Sequence, residues 1–258
     1  MEFRSLRADE IEVRVGQIPK GGSGLSLLLY KDARCDMNLL DEALGAENWQ
    51  CEYDVINGQL FCKVIVWSES HQQWISKQDV GAPSNMEAEK GRASDAFKRA
   101  CFKLGIGREL YTAPRIWIYA QNRDGSKNCT IKQGNKGNMQ CYDSFSVAEI
   151  DVRDHVIEHL AIRNDDTGRI VFEWTSPKVA QRMSLPPTDE QLAEVERMIV
   201  QIAVERGVEA DVVHTALMKC KPLAQFGTEK IETVAQVEVA KGQLSAWLES
   251  MERGKDGK

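Results

Sequence analysis

The sequence predicts an α+β protein in which an antiparallel β-β-β sheet packs on a long basic helix and a small all-α C-terminal module follows. Three observations support this fold class. Two β-prone runs flank an Asn-Gly pair between residues 50 and 67, which is typical of a hairpin. A helical pattern follows at 84–104, and helical periodicity returns from residue 188 towards the end of the chain.

The elements before the hairpin alternate in type. Segment 10–18 ("EIEVRVGQI") predicts a strand, and the glycine-rich segment 20–24 predicts a turn before the apolar run 25–30. A helix follows, for which Asp32 is a suitable N-cap and Gly45 a suitable C-terminal stop.

The long helix has two different faces. The segment 71–81 precedes it as a third strand, Ser84 and Glu87 form a capping box, and Gly105 stands where the helix would end. Small and aromatic side chains share one arc: Ala93, Ala96, Phe97, Ala100, Cys101 and Leu104. The opposite side carries cations: Arg92, Arg99 and Lys103, with Lys98 beside them.

The rest of the chain predicts further strands and then helices. Segment 115–120 predicts a strand, segment 121–140 a loop or hairpin, and segment 156–174 a second hairpin. We expect an N-terminal domain at 1–183, a proline-rich hinge at 184–187, a helical module at 188–252 and a disordered tail at 253–258. Thr188 and Gln191 predict a capping box, and breaks near Gly207, Pro222 and Gly227 predict three helices in the module.

Composition indicates a protein of the cytoplasm. No apolar run is long enough to cross a bilayer, so we expect no membrane association, and the first residues lack the apolar stretch of a signal peptide. Seven cysteines without a CxxC pair favour reduced, packed thiols over a disulfide framework or a zinc ribbon.

Charge is distributed unevenly along this acidic chain, whose net charge is -6. Residues 90–115 contain seven cations and two anions, whereas residues 188–258 contain nine cations and thirteen anions. The two regions are therefore expected to meet different partners.

Catalytic patterns are weak. The glycine-rich segments match neither GxxxxGK[ST] nor a correctly placed GxGxxG, so a nucleotide-phosphate cradle is not expected. The segment 155–159 ("HVIEH") has the spacing of an inverted zinc-protease motif, but that chemistry needs a helix and the surrounding sequence predicts a strand. Cys101 lies on the apolar arc of the long helix, a position that suits a small hydrophobic side chain and not a nucleophile. We expect no enzyme activity, no cofactor and no metal.

The basic helix is the strongest functional signal. A solvated charged face is the ordinary explanation of such a helix. We expect these cations to be largely unpaired, since only Arg99 has a carboxylate at i,i+4, namely Asp95, and the cations continue beyond the helix into Arg108 and Arg115. Such a row suits a phosphate backbone. Some nearby aromatic side chains could stack on bases: Tyr53, Phe61, Trp67, Trp74, Phe102 and Tyr111.

Three segments stand out beyond the charge pattern: "DARCDMNLLDEALGAENWQ", "KQDVG" and "KGRASDAFKRACFKLGIGRELY". They resemble segments of the single-strand-annealing proteins of homologous recombination. These are the Rad fifty-two and twenty-two type and, more closely, their bacteriophage relatives. The resemblance covers about residues 10–115 and implies rings or helical filaments with single-stranded DNA in a continuous positive groove. The helical module resembles the small appendage of phage annealases.

The resemblance implies that Lys98 and Arg99 contact the DNA backbone, with Arg14 on the first strand and, less directly, Lys103. Arg92 and Arg108 complete the predicted cationic surface. The implied function is ATP-independent binding and annealing of single strands in recombination or repair by a homo-oligomer. Residues 188–251 would recruit a host single-strand-binding protein or a phage exonuclease. Two alternatives remain: a plain single-strand-binding protein, or a zinc metallohydrolase built on His155, Glu158 and His159.

Overall fold

The structure is a computed structural model that describes residues 2–82, 88–134 and 137–255. The chain divides into two compact units, Met1–Thr175 and Ser176–Lys258. Each unit has its own hydrophobic core.

The first unit combines antiparallel sheets with helices, which confirms the predicted α+β class. Its helices are α1 (Ala33–Leu44) and α2 (Ala88–Leu104), with short 3-10 turns at Ala8–Glu10 and Arg108–Thr112. The described strands are β1 (Glu12–Val15), β2 (Gly24–Tyr30), β3 (Trp49–Ile56), β4 (Gln59–Ser68), β5 (Gln73–Val80), β6 (Ile116–Tyr119), β7 (Ile131–Gln133), β8 (Met139–Cys141), β9 (Phe145–Arg153), β10 (Val156–Asn164) and β11 (Arg169–Thr175).

The predicted β-β-β sheet on a helix is present as β3-β4-β5 packed against α2. The β3-β4 hairpin closes at Asn57 and Gly58, both of which have positive φ, as a type I′ turn requires. Alternate residues of β4 are buried and meet the apolar side of α2, where Phe97 is fully buried. The predicted apolar arc of the helix is therefore its core side.

A six-stranded sheet forms another large part of the first unit, in the order β11-β10-β9-β1-β2-β6, and β7 pairs with β8 in a separate two-stranded sheet. The sequence predicted most of these strands but not their assembly into one sheet. Strand β1 pairs with β9 through Glu12 and Ser146, which are far apart in the chain. Such a pairing leaves no local pattern, because register signals come from turns and from alternation within a strand.

The predicted helix ends of the first unit are confirmed where the structure describes them. The Asp32 side chain accepts a hydrogen bond from the Arg34 backbone N–H at 2.7 Å, and Gly45 with φ 84° ends α1. Helix α2 ends before Gly105, which has φ 115°. The predicted capping box of Ser84 and Glu87 lies outside the described residues.

The second unit is helical. Its described helices are α3 (Pro177–Met183), α4 (Asp189–Arg206), α5 (Ala210–Lys219), α6 (Lys221–Ala224) and α7 (Val234–Lys255). The predicted capping box opens α4: the Gln191 backbone N–H donates to Thr188 Oγ1 at 3.2 Å, and the Thr188 backbone N–H donates to Gln191 Oε1 at 2.9 Å.

Several boundaries differ from the expected ones. The units divide between Thr175 and Ser176, so the segment 184–187 lies within the second unit, where the Val234 N–H donates to the Leu185 carbonyl at 2.9 Å. Pro222 lies in the first turn of α6, a position that suits proline, so a short fourth helix joins the three expected after residue 188. Helix α7 includes 253–255, which were expected to be disordered; residues 256–258 lie outside the described part.

A helix that crosses a bilayer needs about 20 consecutive apolar residues. Within the described residues, none combines the length and the apolar character that a membrane span requires.

A buried ion pair joins the end of β2 to α1. Lys31 Nζ donates to Asp36 Oδ1, and both side chains are buried. Burial raises the pKa of the Asp36 carboxyl to about 6, although the Lys31 ammonium acts in the opposite direction. The folded protein therefore binds this proton more readily than the unfolded chain does.

We expect the stability contributed by Asp36 to fall as the pH rises from about 4 to about 6, because the carboxyl then ionises in a buried site. Relative to Asp36→Asn, the wild-type free energy of unfolding should decrease by roughly 1–3 kcal/mol over this range. Urea titrations at several pH values measure this free energy of unfolding. Glu47→Gln, at an exposed position, should keep the wild-type dependence of the unfolding free energy on pH. The same dependence on pH in Asp36→Asn and in the wild type would contradict this role of Asp36.

Gly81 allows the close contact between the sheet and α2. A Cβ at this position would lie 1.9 Å from the carbonyl oxygen of Arg92 and 2.9 Å from the backbone nitrogen of Ala96. Gly81→Ala should therefore lower the free energy of unfolding by about 1–3 kcal/mol, because the helix must move away from the sheet. Gly21→Ala is the control, since a Cβ there meets nothing within 4 Å. Equal urea midpoints for the two variants would refute this role of Gly81.

Candidate nucleic-acid interface

A groove of about 610 Å³ lies in the first unit beside α2, and we call it the α2 groove. Its walls are formed by strand β2, the end of β5, the second half of α2 and the 3-10 turn Arg108–Thr112. Its lining residues are Leu28, Leu29, Tyr30, Lys31, Asp79, Asp95, Lys98, Arg99, Phe102, Lys103, Gly107, Leu110 and Tyr111.

Three of the six predicted DNA-binding residues, Lys98, Arg99 and Lys103, line this groove together. The same helix buries Phe97 and Ala100 in the core, so helical spacing turns the intervening cations away from the sheet. The sequence thus predicted one cationic surface, and half of its residues share one groove.

A carboxylate lies among these cations, contrary to the expectation that they lack partners. Asp79, near the end of β5, has its oxygens 3.5 Å from Arg99 Nε and 3.3 Å from Lys103 Nζ. Lys103 also donates to the Gln78 carbonyl at 2.6 Å. Burial alone would raise the pKa of Asp79, but the Val80 backbone N–H, Lys103 and Arg99 together lower it below its ordinary value. The expectation failed because it rested on spacing within the helix, whereas Asp79 lies on β5.

The pairs with Asp79 leave the cations accessible. The Arg99 side chain is 49% exposed and the Lys103 side chain 46% exposed. Both cations therefore keep surface that an acceptor from solvent can reach.

Lys98 differs from its neighbours. Within the part of the chain that the structure describes, neither a hydrogen bond nor an ion pair joins its ammonium to another side chain. Lys98 nevertheless acts electrostatically on Asp32, the N-cap of α1. The pKa of Asp32 is lowered to about 2, mainly by hydrogen bonds from Arg34, with a smaller contribution from Lys98. Lys98 is less exposed than Arg99 and Lys103, but no carboxylate is paired with it among the described residues.

Lys31 also lines the groove, but its ammonium is neutralised by Asp36. Gly107 packs against its aliphatic part, since a Cβ there would lie 2.5 Å from Lys31 Cε. Lys31 is therefore a structural cation. The sequence analysis did not single it out.

Aromatic and aliphatic side chains line much of the remaining groove. The rings of Phe102 and Tyr111 lie 4.6 Å apart between centroids, and Tyr111 is 77% exposed. Both were among the aromatic residues that the sequence proposed for base stacking. The other four, Tyr53, Phe61, Trp67 and Trp74, lie on the three-stranded sheet and are not part of the groove lining in the described residues.

Arg14 lies next to the groove without lining it. Its guanidinium carbon is 5.1 Å from the centroid of the Tyr30 ring, and Tyr30 belongs to the groove wall. Arg14 also pairs with Glu12 at 2.5 Å. Its predicted contact with DNA would therefore be at the edge of the groove.

Arg108 has a structural role that the sequence analysis missed. Its Nε and Nη2 donate to the carbonyls of Phe102 and Lys103, both at 3.0 Å, and so satisfy the last turn of α2. The guanidinium carbon also lies 5.7 Å from the centroid of the Phe102 ring. Arg92 is half-buried where the helix approaches Gly81, outside the groove lining. Neither side chain lines the groove, although Arg108 lies next to it at the end of α2.

Asp79 and Asp95 are the groove residues that the sequence analysis missed most clearly. The Asp95 carboxylate accepts a hydrogen bond from the Ala82 N–H at 2.9 Å and so ties the segment after β5 to α2. Asp79 lies in the quoted "KQDVG" segment, whose position just before the basic helix was the available signal.

The "HVIEH" segment is not helical. His155 precedes β10 with φ 60°, and His159 lies within that strand. His159 Nδ1 is 3.0 Å from Thr175 Oγ1, and its Nε2 is 3.7 Å from Glu149. Among the described residues, no cluster of three potential metal ligands occurs. The local structure therefore agrees with the predicted strand rather than with a zinc-protease helix.

The chain is similar to proteins named single-stranded DNA-binding protein DdrA. The one from Deinococcus radiodurans is 37% identical over 93 residues, which are 35% of this chain and 43% of that protein. The one from Deinococcus deserti is 33% identical over 113 residues, which are 43% of this chain and 55% of that protein. The chain thus spans about half the length of the curated relatives it matches. No family model and no solved structure matches it.

Proposed function

We propose that this chain binds single-stranded DNA along the α2 groove and anneals complementary strands without ATP. The observation that carries the proposal is the convergence of Lys98, Arg99 and Lys103 with exposed aromatic side chains in one groove. The relatives named single-stranded DNA-binding proteins support the choice of ligand.

The cations would act by neutralising phosphates. Each neutralised phosphate of a single strand adds about 0.7 to the slope of log affinity against log salt concentration. Three groove cations per chain therefore give weak binding, whereas copies arranged along one strand multiply it. A homo-oligomer, as a ring or a helical filament, belongs to the proposal for this reason.

An exposed edge supports self-association. Strand β3 is at the edge of the three-stranded sheet, and Tyr53, Val55 and Ile56 on it are exposed, Val55 to 73%. A long edge strand with apolar side chains offers both backbone hydrogen bonds and a surface to another chain. We propose that a second copy covers this edge.

Annealing needs no fuel, because duplex stacking contributes about 1.4 kcal/mol per step. What slows the pairing of two free strands is phosphate repulsion, internal hairpins and poor alignment. A strand held along repeated grooves would have its charge reduced and its hairpins opened. The protein's proposed role is thus to prepare the strand, with no catalytic step.

The second unit is proposed to recruit a partner. Four exposed valines lie on α4, in the connection after it and on α5: Val200, Val204, Val208 and Val212. This apolar surface, together with the acidic balance of residues 188–258, supports docking of a host single-strand-binding protein or an exonuclease.

Removing two groove cations tests the proposed site. Lys98→Ala with Arg99→Ala should abolish binding of a long oligonucleotide at moderate salt, while secondary structure and oligomeric state persist. At low salt, where residual binding is measurable, the salt slope should be lower by about 1.4. Lys127→Ala with Arg169→Ala is the matched control, because both side chains are exposed outside the groove lining and the charge change is the same. Equal loss in both double variants, or no loss in the first, would refute the site.

Deleting residues 176–258 tests the proposed role of the second unit, which is a compact unit in itself. We expect the truncated chain to anneal naked complementary strands at the wild-type rate but to anneal strands coated with single-strand-binding protein more slowly. Circular dichroism checks that the first unit remains folded. Equal slowing on both substrates would mean that the second unit serves the structure instead.

A time course of strand pairing distinguishes an annealing protein from a plain single-strand-binding protein. A protein that only covers DNA would bind the oligonucleotides without accelerating their pairing, and annealing followed by fluorescence energy transfer distinguishes the two.

A further inference from the structure

We propose that the α2 groove holds an unstacked base of the bound strand against the Phe102–Tyr111 ring pair, in addition to the phosphates at Lys98 and Arg99. This inference rests on the proposed binding of single-stranded DNA and specifies which parts of the strand the groove receives.

The composition of the groove exceeds what a sugar-phosphate backbone requires. Leu28, Leu29 and Leu110 line it together with the aromatic rings, and its volume of about 610 Å³ is within the range of pockets that enclose organic ligands. Phosphates are bound by cations and backbone N–H groups at open surfaces and gain nothing from aliphatic walls. An apolar, flat group is therefore the better occupant of this part.

The ring pair is held in place before any ligand arrives. Phe102 has the Arg108 guanidinium carbon 5.7 Å from its ring centroid and the Tyr111 ring centroid at 4.6 Å. Arg108 is itself fixed by its hydrogen bonds to the end of α2. Tyr111 is 77% exposed, so it still presents ring surface to solvent. A supported, exposed aromatic ring is suited to stacking on a base with little loss of side-chain entropy.

The spacing fits a single nucleotide. Phe102 follows Lys98 and Arg99 by about one helical turn, which is about 5.4 Å along the axis of α2. A phosphate at Lys98 and Arg99 would thus have its own or an adjacent base within reach of the ring pair.

The carboxylates of the groove favour the same arrangement. Asp79 and Asp95 repel phosphate, but carboxylate oxygens accept hydrogen bonds from the exocyclic amino group of cytosine. The groove therefore has cations for the backbone on α2 and apolar and acceptor groups for a base.

The test uses the full chain and two probes of equal length: oligodeoxycytidylate and an abasic deoxyribose-phosphate oligomer. Wild-type protein should bind the cytidylate more tightly. Tyr111→Ala should weaken cytidylate binding by about 5- to 150-fold and leave abasic binding and the salt slope unchanged. Tyr111→Phe, which keeps the ring, should retain the preference. Tyr111 is exposed, so these substitutions spare the core.

The outcomes separate the two proposals. Equal wild-type affinity for both probes, or equal weakening of both by Tyr111→Ala, would overturn the base site while leaving the phosphate site intact. Failure of the wild-type chain to bind either probe would overturn the proposed function and this inference with it. A fluorescent base analogue that is quenched by the wild-type protein but not by Tyr111→Ala would give independent support.

Discussion

The close approach of α2 to the three-stranded sheet is the constraint on which the groove depends. The helix meets the sheet through small residues such as Ala96 and Ala100, and Gly81 at the end of β5 leaves no Cβ between the two backbones. Once this side of the helix is fixed in the core, its period of 3.6 residues directs Lys98 and Arg99 out of the core and into the groove at the edge of the sheet. The electrostatics of the groove thus follow from a packing requirement, since the helix cannot rotate without burying charge.

The same approach brings a counter-ion to the cations. Asp79 lies two residues before Gly81, so the contact that sets the helix close to the sheet also sets a carboxylate beside Arg99 and Lys103. This lowers the net positive charge of the groove, but it also reduces repulsion along the helix and holds two long side chains near the groove. Fixing such side chains costs up to about 2 kcal/mol each in lost rotamer freedom. Part of that ordering is in place before a ligand binds.

Local chemistry made much of the fold predictable from the sequence. The Asn57-Gly58 turn, the Asp32 N-cap and the end of α2 at Gly105 each depend on a few adjacent residues, and each is present. The six-stranded sheet and the pairing of Arg99 with Asp79 depend on residues that are distant in the chain, and periodicity contains no information about them. Helix projection predicted the cationic side of α2, but not that Arg108 would be used to satisfy helix carbonyls.

Preference for a single strand needs more than cations, because a duplex presents phosphates too. If the apolar part of the groove takes a base, it discriminates against a duplex, whose bases are already stacked and paired. Stacking on an aromatic side chain contributes about 1–3 kcal/mol per base, and duplex formation about 1.4 kcal/mol per step. One held base per chain is then outweighed once two or three neighbouring bases pair with a second strand. With one base held in this way, the groove would keep a strand open and still release it to its complement.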